Sequence, residues 1–211
     1  MGSLRSQRQR TDTGGILINH PGYRKDMATA KTGSFYLNET VTLPIGNPSG
    51  GADRVTGTLD LSAYVNVPTG QAIAIDQVDF IYQVGIDFGG DVISMLANSG
   101  AITAQLSDLN PGQAFVRADN QSLVASGSLN IDTPNGIATH TSDLYPDNFG
   151  PSGLSDMFIV VNDQLYLTCG NDATAIGTAA VYVTARIRCR VVKLSTKDWM
   201  AVAIQSTAAD N

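Results

Sequence analysis

The chain has 211 residues, 43% of them hydrophobic, with 13 Lys and Arg against 19 Asp and Glu and a formal net charge of −6. This composition supports a sizeable core and excludes wholesale disorder, while the acidic balance argues against a domain that binds nucleic acid freely in solution. No apolar run approaches the roughly 18 residues of a membrane-spanning helix.

Within the acidic set, Glu39 is the only glutamate and all the others are Asp. Asp favours turns and caps, whereas Glu favours helix interiors. With 21 Gly in the chain, the expectation is many strands joined by turns, in one domain.

The first segment differs from the rest. Residues 1–31 hold Arg5, Arg8, Arg10, Arg24, Lys25 and Lys31 against Asp12 and Asp26, a balance of +4. The remaining 180 residues hold seven basic and seventeen acidic groups, a balance of −10. Residues 1–33 therefore read as a basic arm that reaches for a partner or stays solvated. Positive charge at the N-terminus without a hydrophobic stretch behind it does not resemble a secretory signal. "MGSLRS" fits the N-myristoylation pattern, with Gly2 as acceptor and Arg8 and Arg10 as a second, electrostatic membrane signal. Within the arm, "GGILINH" (residues 14–20) could serve as a strand added to a neighbour's sheet.

From residue 34 the pattern turns to strands. "SFYLNETVTLP" alternates and stops at a proline, and "RVTGTLDLSAYVNVP" follows a Gly/Pro/Ser-rich loop. In "IAIDQVDFIYQVGIDF", Val78, Phe80, Tyr82, Val84, Ile86 and Phe88 form one face, and Asp79, Ile81, Gln83, Gly85 and Asp87 the other. Ile73 and Ile75 lie in the opposite phase, which predicts a β-bulge near Asp76 or Gln77. Asp91 can cap a short helix carrying Val92, Met95 and Leu96. "AITAQL", "FVRA", "SLVASGSLNI" and "GIATH" read as short strands, and "YPDNFGPSGLSD" as a long loop. "MFIVVNDQLYLTC" is either one strand or a tight hairpin at Asn162-Asp163.

The last strand runs from about Ala179 to Leu194. Val183, Ala185, Ile187, Cys189 and Val191 should face the core, with Tyr182, Thr184, Arg186, Arg188 and Arg190 on the other side, the arginines about 7 Å apart. These arginines either pair across strands with acids such as Asp79 or Asp87, or meet a surface outside the domain. "STKDWMAVAIQS" then reads as a helix capped by Ser195, with Asp198 three residues on and Trp199, Val202 and Ile204 as apolar contacts. The resulting expectation is an all-β antiparallel β-sandwich over residues 34–194, jelly-roll-like, with a short C-terminal helix and tail in 195–211.

The search for chemistry is mostly negative. His20 and His140 lack a Cys or second His at ligand spacing. Neither a catalytic nor a cofactor-binding nor a metal-ligating set stands out, no small-molecule substrate is implied, and no turnover of common ester, glycoside, peptide or phosphate substrates is expected. Asp87 with Asp91, and Asp143 with Asp147, are conceivable Ca²⁺ loops without defensible ligand spacing. "NET" at Asn38 and "NQS" at Asn120 match glycosylation acceptors but carry little weight without a secretory signal. Cys169 and Cys189 read as buried free thiols, with a disulfide between adjacent strands as the alternative.

An Arg-bearing arm, a body of about eight strands with long loops, a long final strand and no catalytic site together resemble single jelly-roll capsid proteins of tailless icosahedral viruses. That resemblance implies a structural protein located in the virion. Its partners would be copies of itself and other capsid proteins, and its arm would meet an inner membrane or the packaged genome. Arg5, Arg8, Arg10, Arg186, Arg188 and Arg190 are the residues expected at inter-subunit contacts. Three arginines in the first ten residues neutralise a genome only weakly, which suits a shell facing lipid headgroups or a virus whose genome is neutralised otherwise. A filament, pilus or fibre subunit assembled by strand addition, and a carbohydrate-binding β-sandwich, are the two other classes the pattern allows.

Overall fold

The computed structural model describes residues 28–50, 53–86, 92–142 and 157–208. Gly2, Arg5, Arg8, Arg10, residues 14–20, His20, Asp87, Phe88, Asp91, Asp143 and Asp147 lie outside them, as does the "YPDNFGPSGLSD" loop. Ten strands are present: β1 (Ala28–Ala30), β2 (Phe35–Leu43), β3 (Val55–Asp60), β4 (Gln71–Val84), β5 (Gly100–Ser107), β6 (Leu123–Asp132), β7 (Ile137–Ser142), β8 (Phe158–Val160), β9 (Gln164–Asp172) and β10 (Val181–Leu194). One helix, α1, spans Thr196–Ala208.

The pairing identifies the fold. β2 pairs β10, β3 pairs β9, β4 pairs β8 and β5 pairs β6, all antiparallel. The chain thus folds back on itself as one long hairpin. Wrapping that hairpin brings β10 against β4 and β9 against β5, which divides the eight strands into two sheets. This is a jelly roll. Sheet A runs β2–β10–β4–β8, with β1 on the same side of β10 as β2. Sheet B runs β3–β9–β5–β6–β7, with β7 an additional edge strand.

The core lies between the sheets. Val78, Phe80 and Tyr82 of β4 and Val183, Ile187 and Val191 of β10 are all buried in it, as the alternation predicts. Ile73 and Ile75 are buried there too. The phase changes because Cys189 pairs with Ile75 while Arg188 pairs with Gln77, leaving Asp76 as the extra residue of a bulge at the predicted place.

Several expectations need correction. Ile86 is 89% exposed, because β4 ends at Val84 and Gly85 turns the chain with φ +62. Ile204 is 62% exposed; it sits on the solvent side of α1, while Trp199, Val202 and Ala203 face the sheet. "FVRA" is not a strand: Gln105 ties this stretch down instead, its side chain accepting from the Val116 amide and donating to the Val116 carbonyl. "MFIVVNDQLYLTC" is neither one strand nor a hairpin, since β8 belongs to sheet A and β9 to sheet B. The segment after Asp91 forms a 3-10 turn, Val92–Met95, that buries Met95 and Leu96.

The helix begins as its sequence indicates. Ser195 Oγ accepts from the Asp198 amide at 3.2 Å and donates to the Asp198 carboxylate at 2.6 Å, closing a capping arrangement. Its apolar side covers Ala72, Ala74, Val192 and Leu194 on the outer face of sheet A.

Candidate functional site

On β10 the inward residues from Val181 to Val191 are all buried. The outward set is Tyr182, Thr184, Arg186, Arg188 and Arg190, as alternation requires. β2 lies on one side and β4 on the other. Thr184 stands between Thr40 and Ile81, Arg186 between Asn38 and Asp79, and Arg188 between Tyr36 and Gln77. The outer face of β2–β10–β4 thus combines tyrosine, arginine, amide and hydroxyl groups with Ile81 and the exposed Asp79. Of these, tyrosine and arginine are enriched at protein interfaces.

The three arginines have different surroundings. Arg190 forms an ion pair with Asp76, Nη2 to Oδ1 at 3.0 Å, with side-chain exposures of 24% and 2%. Its Nε also donates to Oδ1 at 3.3 Å, and Ser34 Oγ donates to Oδ2 at 3.2 Å. Arg190 is therefore an internal residue in its main role. It neutralises the carboxylate that the β4 bulge buries, so the expected intramolecular pairing exists, though with a different acid.

Arg186 stacks on Tyr36, its guanidinium carbon 4.4 Å from the ring centroid. Asp79 lies opposite it in register but accepts from Gln77 Nε2 at 2.9 Å. Among the described residues, no ion pair joins Arg186 or Arg188 to an acid. The Nε of Arg188 is buried and has no hydrogen-bond partner among them. Tyr36 and Tyr182 are 49% and 37% exposed. Two guanidinium groups and two phenols thus share one sheet face, without an ion-paired acid among the described residues.

The inner face of β2, opposite Ala185, carries the sole glutamate. Glu39 points inward from β2, and a methyl group at Gly57 of β3 would come within 2.5 Å of its Oε1. Gly57 leaves room for that carboxylate where the two sheet edges meet. Burial raises the Glu39 pKa.

The cysteines are free and buried, one in each sheet, so the disulfide alternative is not realised. Burial holds the Cys169 thiol well above its ordinary range. Burial and the Asp76 charge push Cys189 up to about 12. Both are unreactive at neutral pH. His140 lies on β7 with its ring 5.5 Å from that of Tyr82, edge to face. Among the described residues, no three His, Cys, Asp or Glu side chains gather to hold a metal. Two clefts open at the surface. One, of about 230 Å³, lies between α1 and β8 against Met157, Ile159 and Val202. The other, of about 250 Å³, is lined by Phe80, Ile81, Tyr82, Val92, Leu129 and His140.

The sequence located the arginine stripe through its period of two. It missed the Arg190–Asp76 pair, although the bulge it placed near Asp76 or Gln77 was the available signal. It missed Tyr36 as a platform for Arg186, because nothing in the sequence sets the β2–β10 register.

No family model matches the chain, and no curated protein matches it. Among solved structures, the KI polyomavirus VP1 pentamer, unassembled, is similar at 9% identity and TM-score 0.36, covering 77% of this chain and 95% of that one. A Washington University polyomavirus VP1 pentamer is similar at 9% identity and TM-score 0.38, covering 80% and 99%. A semi-empty virus-like particle of the nodavirus of the giant freshwater prawn Macrobrachium rosenbergii is similar at 9% identity and TM-score 0.36, covering 82% and 97%. The resemblance to viral capsid jelly-roll proteins is one of architecture, and the strand pairing described above is what establishes the jelly roll here.

Proposed function

We propose that this chain is a structural subunit that self-assembles, through its arm, its loops and the outer face of sheet A, into the icosahedral shell of a virus. The observation that carries the reading is the Arg186–Arg188 face beside Tyr36 and Tyr182, in which neither arginine forms an ion pair with an acid among the described residues. Residues 32–211 carry −10, so every neighbouring copy offers carboxylates to this face. Partial burial at such a contact strengthens a charge pair relative to an open surface. The basic arm, with Arg5, Arg8 and Arg10, is the second assembly element. It meets neighbouring copies and, on the inner side of the shell, headgroups or genome.

Negative-stain electron microscopy of the purified full chain, across protein and salt concentrations, tests this. Closed particles at low salt are expected. Filaments would favour a fibre subunit, and a monomer under all conditions would overturn the proposal. A second reading, a carbohydrate-binding sandwich, draws on Tyr36 and Tyr182 as exposed aromatics on one sheet face. Glycan-array binding lost on Tyr36→Ala and Tyr182→Ala would favour it.

A further inference from the structure

The edges of the two sheets are not equally protected. β1 and β8 have three residues each. β2 carries the inward-facing Glu39, and β3 carries Gly57 and ends on Asp60. Short strands and inward charges are established guards against edge pairing. β7 has none of them. It is six residues long, Ile-Ala-Thr-His-Thr-Ser, without charge or proline. It pairs only with β6 among the described residues, and Ile137 through Thr141 are exposed. The apolar cleft lined by Phe80, Tyr82, Leu129 and His140 opens beside it.

We infer that the outer edge of β7 receives residues 14–20 of a second copy as an added strand. The segment fits in length and chemistry. Gly14-Gly15-Ile16-Leu17-Ile18-Asn19-His20 is seven residues without formal charge at neutral pH, and Pro21 stops it. Strand addition uses main-chain hydrogen bonds for affinity and pockets for alternate side chains for selectivity. Here the cleft at His140 offers a pocket for Ile16 or Ile18. Charge favours this occupant over a second β7. Two bodies at −10 repel, whereas an arm at +4 is drawn to a body at −10.

The chain's own arm does not reach. β1 pairs Ala28 with Leu194, so the arm leaves at that end of β10. His140 of β7 packs on Tyr82, which pairs with Val183 at the other end. Eleven residues of strand separate Leu194 from Val183, about 36 Å. Eight fully extended residues between His20 and Ala28 span only about 27 Å. Residues 14–20 therefore lie along β7 only if that β7 belongs to another copy. This inference rests on the reading that the chain self-associates and names one contact through which it does so.

The test uses the full chain. One preparation carries Leu17→Cys and another Thr139→Cys, both in the phase opposite to Ile16, Ile18 and His140; native Cys169 and Cys189 are buried and do not compete. The two are mixed, assembled at low salt and mildly oxidised. A disulfide between the two different copies, with wild-type thermal stability retained, is expected. Separately, Ile18→Pro should raise the protein concentration needed for association by about tenfold, with the β-sheet circular dichroism unchanged. Particles that form without the mixed disulfide overturn this contact but not the shell. The mixed disulfide without particles supports the contact and counts against the shell. A Thr139→Cys homodimer alone means that β7 pairs with β7, and a link formed within one dilute chain carrying both cysteines refutes the reach argument.

Discussion

Arg190→Gln tests the division of labour along β10 most directly. Asp76 is an extra residue in the bulge, its side chain 2% exposed, and its Oδ1 accepts two hydrogen bonds from Arg190. Removing the guanidinium leaves a buried carboxylate with Ser34 as its remaining partner. Breaking a buried ion pair from one side costs about 3–5 kcal/mol. Arg190 keeps 24% of its side chain exposed, so solvent screens part of this and about 2–3 kcal/mol is the expected loss. For a domain of this size that lowers Tm by about 5–10 °C. Arg186→Gln and Arg188→Gln remove no ion pair among the described residues and should stay within about 1 kcal/mol of wild type. Urea or thermal unfolding followed by circular dichroism measures all three. Asp76→Asn combined with Arg190→Gln should recover much of the loss, because no buried charge remains. If Arg190→Gln is as stable as wild type, the pair does not hold the bulge, and the distinction drawn among the three arginines is wrong.

Three further outcomes follow from the same geometry. Arg186→Gln with Arg188→Gln should fold normally yet lower the salt concentration at which assembly is half lost, measured by light scattering; an unchanged midpoint would refute their role between copies. Glu39 has a raised pKa in the fold, so the native state holds its proton more tightly and stability falls as pH rises through that window. Glu39→Gln should therefore raise Tm at pH 7, and the gain should disappear on acidification below the ordinary Glu range; an equal gain at both pH values would refute the linkage. Cys169 and Cys189 should resist a thiol reagent in the native protein at neutral pH and react once it is unfolded; rapid native labelling would contradict their burial.

Much of the fold was legible because β4 and β10 are long and half-buried. Each repeats its apolar residues with period two, and a break in that period can only be a bulge or an end. That is how the irregularity could be placed near Asp76 or Gln77 from sequence, and the register then singles out Asp76. Ile86 shows the limit of the same rule. It continues the alternation, but Gly85 has already turned the chain away from the sheet. The β8–β9 region failed for a related reason. "FIVV" and "QLYL" are both apolar, and periodicity does not encode which sheet a short apolar run joins. The Arg186–Tyr36 stack and the Glu39–Gly57 fit depend on strand register and sheet-to-sheet contact, which are properties of the pairing and not of any one segment.

The clustering of charge on β10 has a mechanical cause as well as a proposed use. An outward face 14 residues long cannot be apolar throughout without leaving an exposed patch prone to association. The chain divides it. Val192 and Leu194, at the end where β10 runs into Ser195, are covered by α1 through Trp199 and Val202. Arg190 sits at the boundary and spends its charge on Asp76, where the bulge has turned a polar residue into a covered position. Beyond that boundary Arg186 and Arg188 stand among Tyr36, Thr184 and Tyr182 without an ion pair among the described residues. An alternating strand with a helix folded over one end therefore produces a covered half and a charged half from one sequence pattern. α1 itself runs toward Gln121, whose Oε1 accepts from Gln205 Nε2 at 2.9 Å, and so leaves the charged half open. Shortening it would expose Val192 and Leu194 and should cause disordered aggregation.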